Sequence, residues 1–286
     1  MTANGDGRGA VVLGIGVRTD VGLRRKANED SHLVGYPVFA VADGMGGHDA
    51  GDRASQAVVE QLAVLVGQTA IGPQELADAL DLAQTAVVSI ADETDRGAGS
   101  TLTGAIVSAQ NGVPHWLVFN VGDSRVYRLR EAELSQLTVD HSVVQQLLDS
   151  GELAPADLEA YQGKNVITRA MGADDSDADY WWHPIVQNER LMLCSDGLTG
   201  EVSDEAVRST LLSTADAQLA ADRLVQLALA NGGRDNVTVI VLDVLAGGLD
   251  PLIDELTVES TREQDDDHLT ADTVEIEVRR GNDGAL

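Results

Sequence analysis

The sequence contains few of the residues that build disulfides, thiolate metal sites and aromatic cores. Cys194 is the one cysteine among 286 residues, which excludes an intramolecular disulfide and a metal cage of several thiolates. Because Cys194 lies inside an apolar run, we expect a buried, inert thiol. Aromatic residues make up 3% of the chain and hydrophobic residues 43%, so aliphatic side chains must form most of the core of a globular protein.

Basic residues are scarce as well. The chain has 19 Lys and Arg against 47 Asp and Glu, which gives a formal net charge of −28. Nucleic acids and anionic membranes bind cationic surfaces, so we expect neither as a partner. The sequence also lacks an apolar run of membrane-spanning length and a signal-peptide core, which favours a cytoplasmic protein.

Four apolar segments of strand length each have an aspartate at one end, next to a residue that permits a tight turn. The segments are residues 38–41 before Asp43, 117–121 before Asp123, 191–194 before Asp196 and 237–242 after Asp235. If these strands lie side by side, their ends bring several carboxylates to one rim, where like charges require a cation. Aspartate oxygens and a backbone carbonyl are hard ligands, which predicts a site for Mg²⁺ or Mn²⁺.

The periodicity of the rest of the chain predicts strands and helices. Asn111-Gly112 and Gly122-Asp123-Ser124 join consecutive strands and predict two hairpins, which favours an antiparallel sheet over a βαβ pattern. Residues 152–184 show no regular pattern. Helical spacing predicts helices over residues 54–66, from Pro73 to about residue 90, over 141–150 and over 215–230, and Ser203 is predicted to cap a further helix.

A loop dense in charge follows the first strand. Arg24, Arg25 and Lys26 stand just before the acidic pair Glu29 and Asp30. One interpretation is a solvated loop with local ion pairs, which contribute little to stability. The other is an anion-binding arginine held beside the metal site, and the loop alone does not decide between them.

Eight short stretches follow one another along the chain: 20–30 (DVGLRRKANED), 41–47 (VADGMGG), 99–101 (GST), 122–125 (GDSR), 138–142 (TVDHS), 168–172 (TRAMG), 194–198 (CSDGL) and 233–236 (GRDN). An Asp-Gly turn alone is a weak signal, but in this order the eight resemble the metal-dependent Ser/Thr protein phosphatases (type 2C, or PPM), specifically their compact bacterial branch. The resemblance covers about residues 11–245.

The resemblance implies an α+β fold, a four-layer α-β-β-α sandwich of two packed, mainly antiparallel sheets flanked by helices. It also implies a PPM-type phosphatase domain over residues 10–246. We expect a flexible N-terminus over residues 1–9. The acidic tail over residues 247–286 has no sustained periodicity, so we expect it to be disordered.

The resemblance further implies two to three Mn²⁺ or Mg²⁺ ions per chain. Asp43 would bridge two metals, the Gly44 carbonyl would hold one, Asp196 and Asp235 would hold the other, and Asp123 would complete a third, weaker site. The resemblance also implies roles around these ligands: Arg25 would grip the substrate phosphate, while Glu29, Asp30 and Asn236 would orient the ligands. Met45 stands where some eukaryotic relatives have a histidine, and nothing in the sequence directs the nearby His48 to the site.

The implied function is metal-dependent hydrolysis of phosphoserine and phosphothreonine in proteins, by in-line attack of a metal-bridging water or hydroxide. Such an enzyme would oppose Ser/Thr kinases, with phosphorylated proteins, the kinases among them, as partners and a monomer as the expected state. Two alternatives stay open. One is a pseudophosphatase that binds phosphoproteins without turnover, and the other is a hydrolase of small phosphate monoesters.

Overall fold

The structure is a computed structural model that describes residues 10–46, 50–69, 71–161, 163 and 166–251. The predicted flexible segment 1–9 and most of the predicted acidic tail lie outside these residues, as does His48. The eleven strands within the described ranges are β1 (Val12–Asp20), β2 (Asp30–Gly35), β3 (Val38–Gly46), β4 (Ala98–Ser100), β5 (Leu102–Gln110), β6 (Val113–Val121), β7 (Arg125–Arg130), β8 (Glu133–Gln136), β9 (Asp179–Pro184), β10 (Arg190–Cys194) and β11 (Val237–Ala246).

The strands form two sheets in which every named pair is antiparallel. The five-stranded sheet has the order β1-β11-β10-β7-β8. The six-stranded sheet has the order β2-β3-β5-β6-β9, and the short strand β4 pairs with the end of β3. The predicted antiparallel arrangement is therefore confirmed.

Alternation along the buried strands explains why the two sheets stack face to face. In β3, Val38, Ala40 and Ala42 pack in a core beneath helices, whereas Phe39 and Val41 pack in the core between the two sheets. Side chains of a strand point alternately to opposite faces, so a strand that is apolar at every position must be covered on both. The four-layer sandwich follows from this pattern.

The helices cover the outer faces. The helices α1 and α2 pack on the six-stranded sheet, and α4, α5 and α6 on the five-stranded sheet. Pro73 begins α2, and Ser203 caps α5 by accepting a hydrogen bond from the Ala206 N–H, as the sequence predicted. The helices are α1 (Ala50–Leu62), α2 (Pro73–Asp92), α3 (Val143–Asp149), α4 (Asp196–Thr199), α5 (Asp204–Ser213) and α6 (Ala217–Asn231), with 3₁₀ turns at Ala63–Leu65 and Pro155–Ala160.

Two predictions about the strands were wrong. Gly122-Asp123-Ser124 does not close a hairpin, because β6 belongs to the six-stranded sheet and β7 to the five-stranded sheet. The chain crosses between the sheets at this point, with Gly122 at a φ of 103°. Residues 152–184 also contain a strand, since β9 pairs with β6 and sends Tyr180 and Trp182 to one core and Trp181 to the other.

The compact part of the chain extends a few residues beyond β11. The Leu249 N–H donates to the Ile185 carbonyl at 2.7 Å, and the Leu249 carbonyl accepts from the Gln187 N–H at 2.9 Å. Residues up to 251 are described, so the predicted domain end at residue 246 falls inside a hydrogen-bonded segment. Within the described ranges, no helix is long and apolar enough to cross a membrane.

Candidate metal centre

The ends of four strands bring the predicted aspartates to one rim of the sandwich. Asp43 lies near the end of β3, and Asp123 follows β6. Asp196 opens α4 directly after β10, and Asp235 precedes β11. Charge repulsion from Asp196 and Asp123 reaches Asp43, and repulsion from Asp235 reaches Asp196, so the four carboxylates share one electrostatic environment.

The backbone of Asp43 is fixed by hydroxyl side chains of the neighbouring strands. The Asp43 N–H donates to Thr101 Oγ1 at 3.0 Å. Its carbonyl accepts from the Thr101 N–H at 2.9 Å and from Ser100 Oγ at 3.1 Å. Thr101 Oγ1 lies 2.8 Å from Ser124 Oγ, which connects the Asp43 strand to the loop that carries Asp123. Thr101 and Ser124 thus support two of the predicted ligands.

Gly44 lies where the chain has no room for a side chain. A Cβ atom at this position would lie 2.0 Å from the Gly51 carbonyl oxygen and 2.7 Å from the Glu29 carbonyl oxygen. The Gly44 N–H donates to that Glu29 carbonyl at 3.1 Å. The first turn of α1 and the loop before β2 therefore close onto Gly44, which is the reason for glycine here.

Asp30 is a buried carboxylate directly beside Asp43. The two residues are paired across β2 and β3. Asp30 Oδ2 accepts from Ser195 Oγ at 2.8 Å and from Thr238 Oγ1 at 2.7 Å. Burial raises the pKa of Asp30 to about 7, although these two hydrogen bonds favour its charged form and oppose the shift. Asp30 therefore links β2 to both the Asp196 loop and β11.

Asn236 and Glu29 tie the charged loop of residues 21–29 to the start of β11. The Glu29 N–H donates to Asn236 Oδ1 at 2.8 Å. Asn236 Nδ2 donates to the carbonyls of Val21 and Ala27, at 2.9 Å each. Asn236 itself is buried, so its side-chain amide is held inside the protein at the base of the loop. The amide thus sets the position of the loop relative to Asp235.

Arg25 lies at the rim and its guanidinium contacts the acidic residues. Arg25 Nη2 donates to Asp235 Oδ2 at 2.7 Å, and Nη1 lies 3.9 Å from Glu29 Oε2. Its side chain is 48% exposed. The hydrogen bond with Asp235 raises the pKa of Arg25 above its usual value, so the group is a permanent cation beside the carboxylates.

Burial and mutual repulsion keep the carboxylates in unfavourable surroundings. Burial raises the pKa of Asp43 well above its usual value, and repulsion from Asp30, Asp196 and Asp123 adds to the shift. Burial likewise raises the pKa of Asp196, and it raises that of Asp123 to about 7. The carboxyl groups of Asp43 and Asp196 are hydrogen-bonded to each other. A bound cation would relieve this repulsion.

The donor chemistry of the rim fits a hard divalent cation. All the predicted ligands are oxygens, and Asp196 Oδ1 is buried with no hydrogen-bond partner among the described residues. In the same ranges, no three His, Cys, Asp or Glu side chains are arranged as a metal-binding group. Asp235 would have to complete such a group with Asp43 and Asp196, but its carboxylate is hydrogen-bonded to Arg25. The rim thus has suitable ligands without a closed ligand cage.

A second ionic network joins the two ends of the segment between residues 138 and 179. Asp179 Oδ2 lies 3.0 Å from His141 Nε2, and Asp179 Oδ1 accepts from Arg169 Nη1 at 2.8 Å. His141 Nδ1 accepts from the Gly122 N–H at 3.1 Å, which leaves the proton on Nε2 for Asp179. Burial opposes the charge of Asp179, but His141 and Arg169 outweigh it and lower the pKa.

Several residues that support the rim did not stand out in the sequence. The resemblance assigns no role to Thr101 and Ser195, although both lie within its stretches, and Thr238 lies outside them. In the structure these three hydroxyls fix Asp43 and Asp30. The available signal was a hydroxyl residue at a buried position of an otherwise apolar strand, as in the run Val-Thr-Val-Ile at Thr238. Such residues are often cross-strand partners of a polar group.

Comparisons with known proteins identify the family of the chain. The sequence profile of the family Protein phosphatase 2C matches residues 24–230. The chain is 39% identical over 273 residues to the serine/threonine protein phosphatase PstP of Mycobacterium tuberculosis, covering 89% of this chain and 51% of that protein. It is 37% identical over 240 residues to the serine/threonine phosphatase stp of Listeria monocytogenes, covering 79% of this chain and 94% of that protein.

Solved structures share the fold. The crystal structure of Mycobacterium tuberculosis PstP has a TM-score of 0.77 at 36% identity, covering 82% of this chain and 100% of that one. The catalytic domain of PstP in complex with two manganese ions has a TM-score of 0.75 at 37% identity, with the same coverage.

The fold and the acidic rim thus define the class of α-β-β-α sandwich phosphatases. The chain belongs to the protein phosphatase 2C family. It spans about half of the length of the PstP proteins and nearly the whole length of the Listeria protein.

Proposed function

We propose that the chain hydrolyses phosphoserine and phosphothreonine in proteins and opposes Ser/Thr kinases in the cytoplasm. The observation that carries the proposal is the convergence of Asp43, Asp123 and Asp196, each with its pKa raised by burial and like charges, beside the cationic Arg25. The names of the relatives, all Ser/Thr or protein phosphatases, support the substrate class.

The proposed metal ligands are the side chains of Asp43, Asp196 and Asp235 and the Gly44 carbonyl, which would hold two Mn²⁺ or Mg²⁺ ions. Asp123 with Asp196 would hold a third. The two manganese ions in the PstP catalytic domain support this choice of metal. When bound, such ions lower the pKa of a water molecule and neutralise charge on phosphate oxygens.

The other proposed roles belong to residues around these ligands. Arg25 has a planar, permanently charged fork that suits bidentate phosphate binding. Asp30, held by Ser195 and Thr238, and Glu29, held through Asn236, orient the ligands. Burial raises the pKa of the Cys194 thiol to about 12, so this thiol cannot serve as a nucleophile at neutral pH.

The test is phosphate release from a phosphothreonine peptide by the purified full chain. We expect release with Mn²⁺, loss of release with EDTA, and at least a hundredfold lower rate for Asp43→Asn in Mn²⁺. The matched control is Asp92→Asn, an exposed aspartate at the end of α2, which should retain the full rate.

Two outcomes would redirect the proposal to its alternatives. Phosphopeptide binding without release by the Mn²⁺-loaded chain would indicate a binding module. Release from a small phosphate ester such as p-nitrophenyl phosphate, but not from phosphopeptides, would indicate a small-ester hydrolase.

A further inference from the structure

The loop before the rim contains the longest uninterrupted basic run in the sequence. Arg24, Arg25 and Lys26 are consecutive in a chain that has 19 basic and 47 acidic residues. All three are exposed. Exposed cations on a strongly acidic surface create a local field of opposite sign to the rest of the molecule.

Arg24 and Lys26, the two outer cations of this run, have no ion-pair partner among the residues that the structure describes. Arg25 is bonded to Asp235, whereas Arg24 and Lys26 form no ion pair and no side-chain hydrogen bond with any residue that the structure describes. Other arginines of the domain are engaged, for instance Arg125 with Asp140 and Arg190 with Asp243. The charges of Arg24 and Lys26 are therefore available to a partner.

The loop that presents these cations is held firmly against the rim. The Leu23 N–H donates to the Gly233 carbonyl at 2.7 Å, and Asn236 binds the carbonyls on both sides of the run. Gly22 has a φ of 75°, and a Cβ there would lie 2.2 Å from the Asp235 carbonyl oxygen. The backbone around the run is thus fixed to Gly233 and Asn236, next to Asp235 at the edge of the proposed phosphate site.

We infer that Arg24 and Lys26 bind acidic or phosphorylated residues that flank the target phosphoresidue. This inference rests on the proposed function and adds a substrate class to it: acidic or doubly phosphorylated segments. Neighbouring Cα atoms are about 3.8 Å apart, and an extended peptide advances about 3.3–3.6 Å per residue. Long side chains on either side of Arg25 therefore match flanking positions one to three residues from the target phosphate.

The net negative charge of the chain explains why cations beside the site would help an acidic substrate to bind. A formal net charge of −28 repels acidic peptides in general. Two free cations beside the site would reverse that repulsion for the part of the substrate that enters it. The effect depends on exposed charges, so it should weaken as salt shortens the Debye length.

The experiment compares kcat/KM for three phosphothreonine peptides in Mn²⁺. One has neutral flanks, one has glutamates at positions −2, −1, +1 and +2, and one has a second phosphothreonine two residues away. We expect the wild-type chain to prefer the second and third peptides at about 50 mM salt and to lose the preference at about 500 mM. The double variant Arg24→Gln/Lys26→Gln should lower kcat/KM about fivefold for those two peptides and leave the neutral peptide unchanged.

A charge-matched control separates a local effect from a change in net charge. Arg208 on α5 pairs with Glu205 and binds the Ala132 carbonyl in the turn between β7 and β8, at the opposite end of the sandwich. The variant Arg130→Gln/Arg208→Gln removes the same formal charge at that end. It should keep the preference of the wild-type chain.

Three results would overturn the inference. These are an equal loss for all three peptides, no change in the double variant, or the same loss in the control variant. If the wild-type chain releases phosphate from none of the peptides, the proposed function fails. The inference is then tested by measuring the binding of labelled peptides with fluorescence anisotropy. A preference for acidic or doubly phosphorylated peptides that disappears in Arg24→Gln/Lys26→Gln would then support the inference, and its absence would refute it.

Discussion

Asp43 combines a desolvated carboxyl group with three like-charged neighbours, so its charge should lower the stability of the metal-free chain. Burial and the repulsion of Asp30, Asp196 and Asp123 raise its pKa. A raised carboxyl pKa means that ionisation is unfavourable in the folded state. We predict that Asp43→Asn raises the free energy of unfolding by about 1–2 kcal/mol at pH 8 in EDTA, a typical size for one site.

Urea denaturation in EDTA measures this effect. Asp92→Asn, at an exposed position, should leave the urea midpoint unchanged. A lower midpoint for Asp43→Asn would show that the hydrogen bond between the carboxyl groups of Asp43 and Asp196 outweighs the repulsion. The expected combination, a more stable protein without activity, is the usual sign of a functional site that costs stability.

Gly44 is predicted to tolerate no side chain. In Gly44→Ala, the Cβ would lie 2.0 Å from the Gly51 carbonyl oxygen, which forces β3 and α1 apart. We expect a loss of about 3 kcal/mol or more, above the usual cost of overpacking because backbone must move. Gly14→Ala is the control, because its Cβ would meet its nearest neighbour, Asp243 Cβ, at an ordinary 3.4 Å. Thermal unfolding of the two variants tests the prediction: the midpoint of Gly44→Ala should lie well below that of Gly14→Ala, and equal midpoints would contradict it.

The predicted ligands have a signal in the sequence, whereas the hydrogen-bond partners that hold the residues around them do not. Asp43, Asp123, Asp196 and Asp235 each stand at the end of an apolar run, which is a local signal. The hydroxyl partners of Asp30 lie 165 and 208 residues away along the chain. Such pairs become visible only when the strand order is known.

Arg190 connects the α5–α6 corner to the five-stranded sheet, and its loss should destabilise the fold without changing the chemistry. Its guanidinium is paired with Asp243 and donates to the carbonyls of Leu211, Thr214 and Ala215. Replacing it leaves the partly buried Asp243 carboxylate and three carbonyls without their donor.

We predict that Arg190→Met lowers the free energy of unfolding by about 3–5 kcal/mol. Arg190 begins β10 and Asp196 follows the other end of that strand, so the rate per folded molecule should be unchanged at low temperature. Arg208→Gln, at a partly exposed surface position, is the control for loss of an arginine, and it should cost less than about 1 kcal/mol. Denaturation curves and phosphate release on the same samples test both statements. A lower rate in the folded protein would show that the corner influences the rim.

The sequence predicted most elements, and the errors share one cause. Local turn residues suggested a hairpin at Gly122-Asp123-Ser124, but a crossover between two stacked sheets uses the same turn residues. Strand β9 was missed because its residues Tyr180, Trp181 and Trp182 are apolar in succession and show no alternation. These side chains alternate between two apolar cores, one beneath the helices and one between the sheets, so no polar residue marks the alternation. Both features depend on how layers stack.

The stability of the whole molecule should depend on pH in opposite ways without and with metal, because buried aspartates titrate in this range. Burial raises the pKa of Asp30 and of Asp123 to about 7, whereas unfolded aspartate titrates near 3.9. Between these values the folded chain holds more protons than the unfolded chain, so stability in EDTA falls as pH rises. We predict that the free energy of unfolding in EDTA decreases from pH 5 to about pH 7 and flattens towards pH 8, where both groups are deprotonated in both states.

Divalent metal should reverse this trend, because cations bind the deprotonated carboxylates. Mn²⁺ at a hundred times its Kd stabilises a one-site protein by about 2.7 kcal/mol. We expect the stabilisation of this chain by Mn²⁺ to grow from pH 6 to pH 8, because Asp123 loses its proton in this range. Thermal unfolding with Mn²⁺ and with EDTA across this pH range gives both slopes, and Asp43→Asn serves as the variant with weakened binding. A gain that is independent of pH, or equal in the variant, would place the bound metal away from the rim. Surface carboxylates of a chain with a net charge of −28 would then be its ligands.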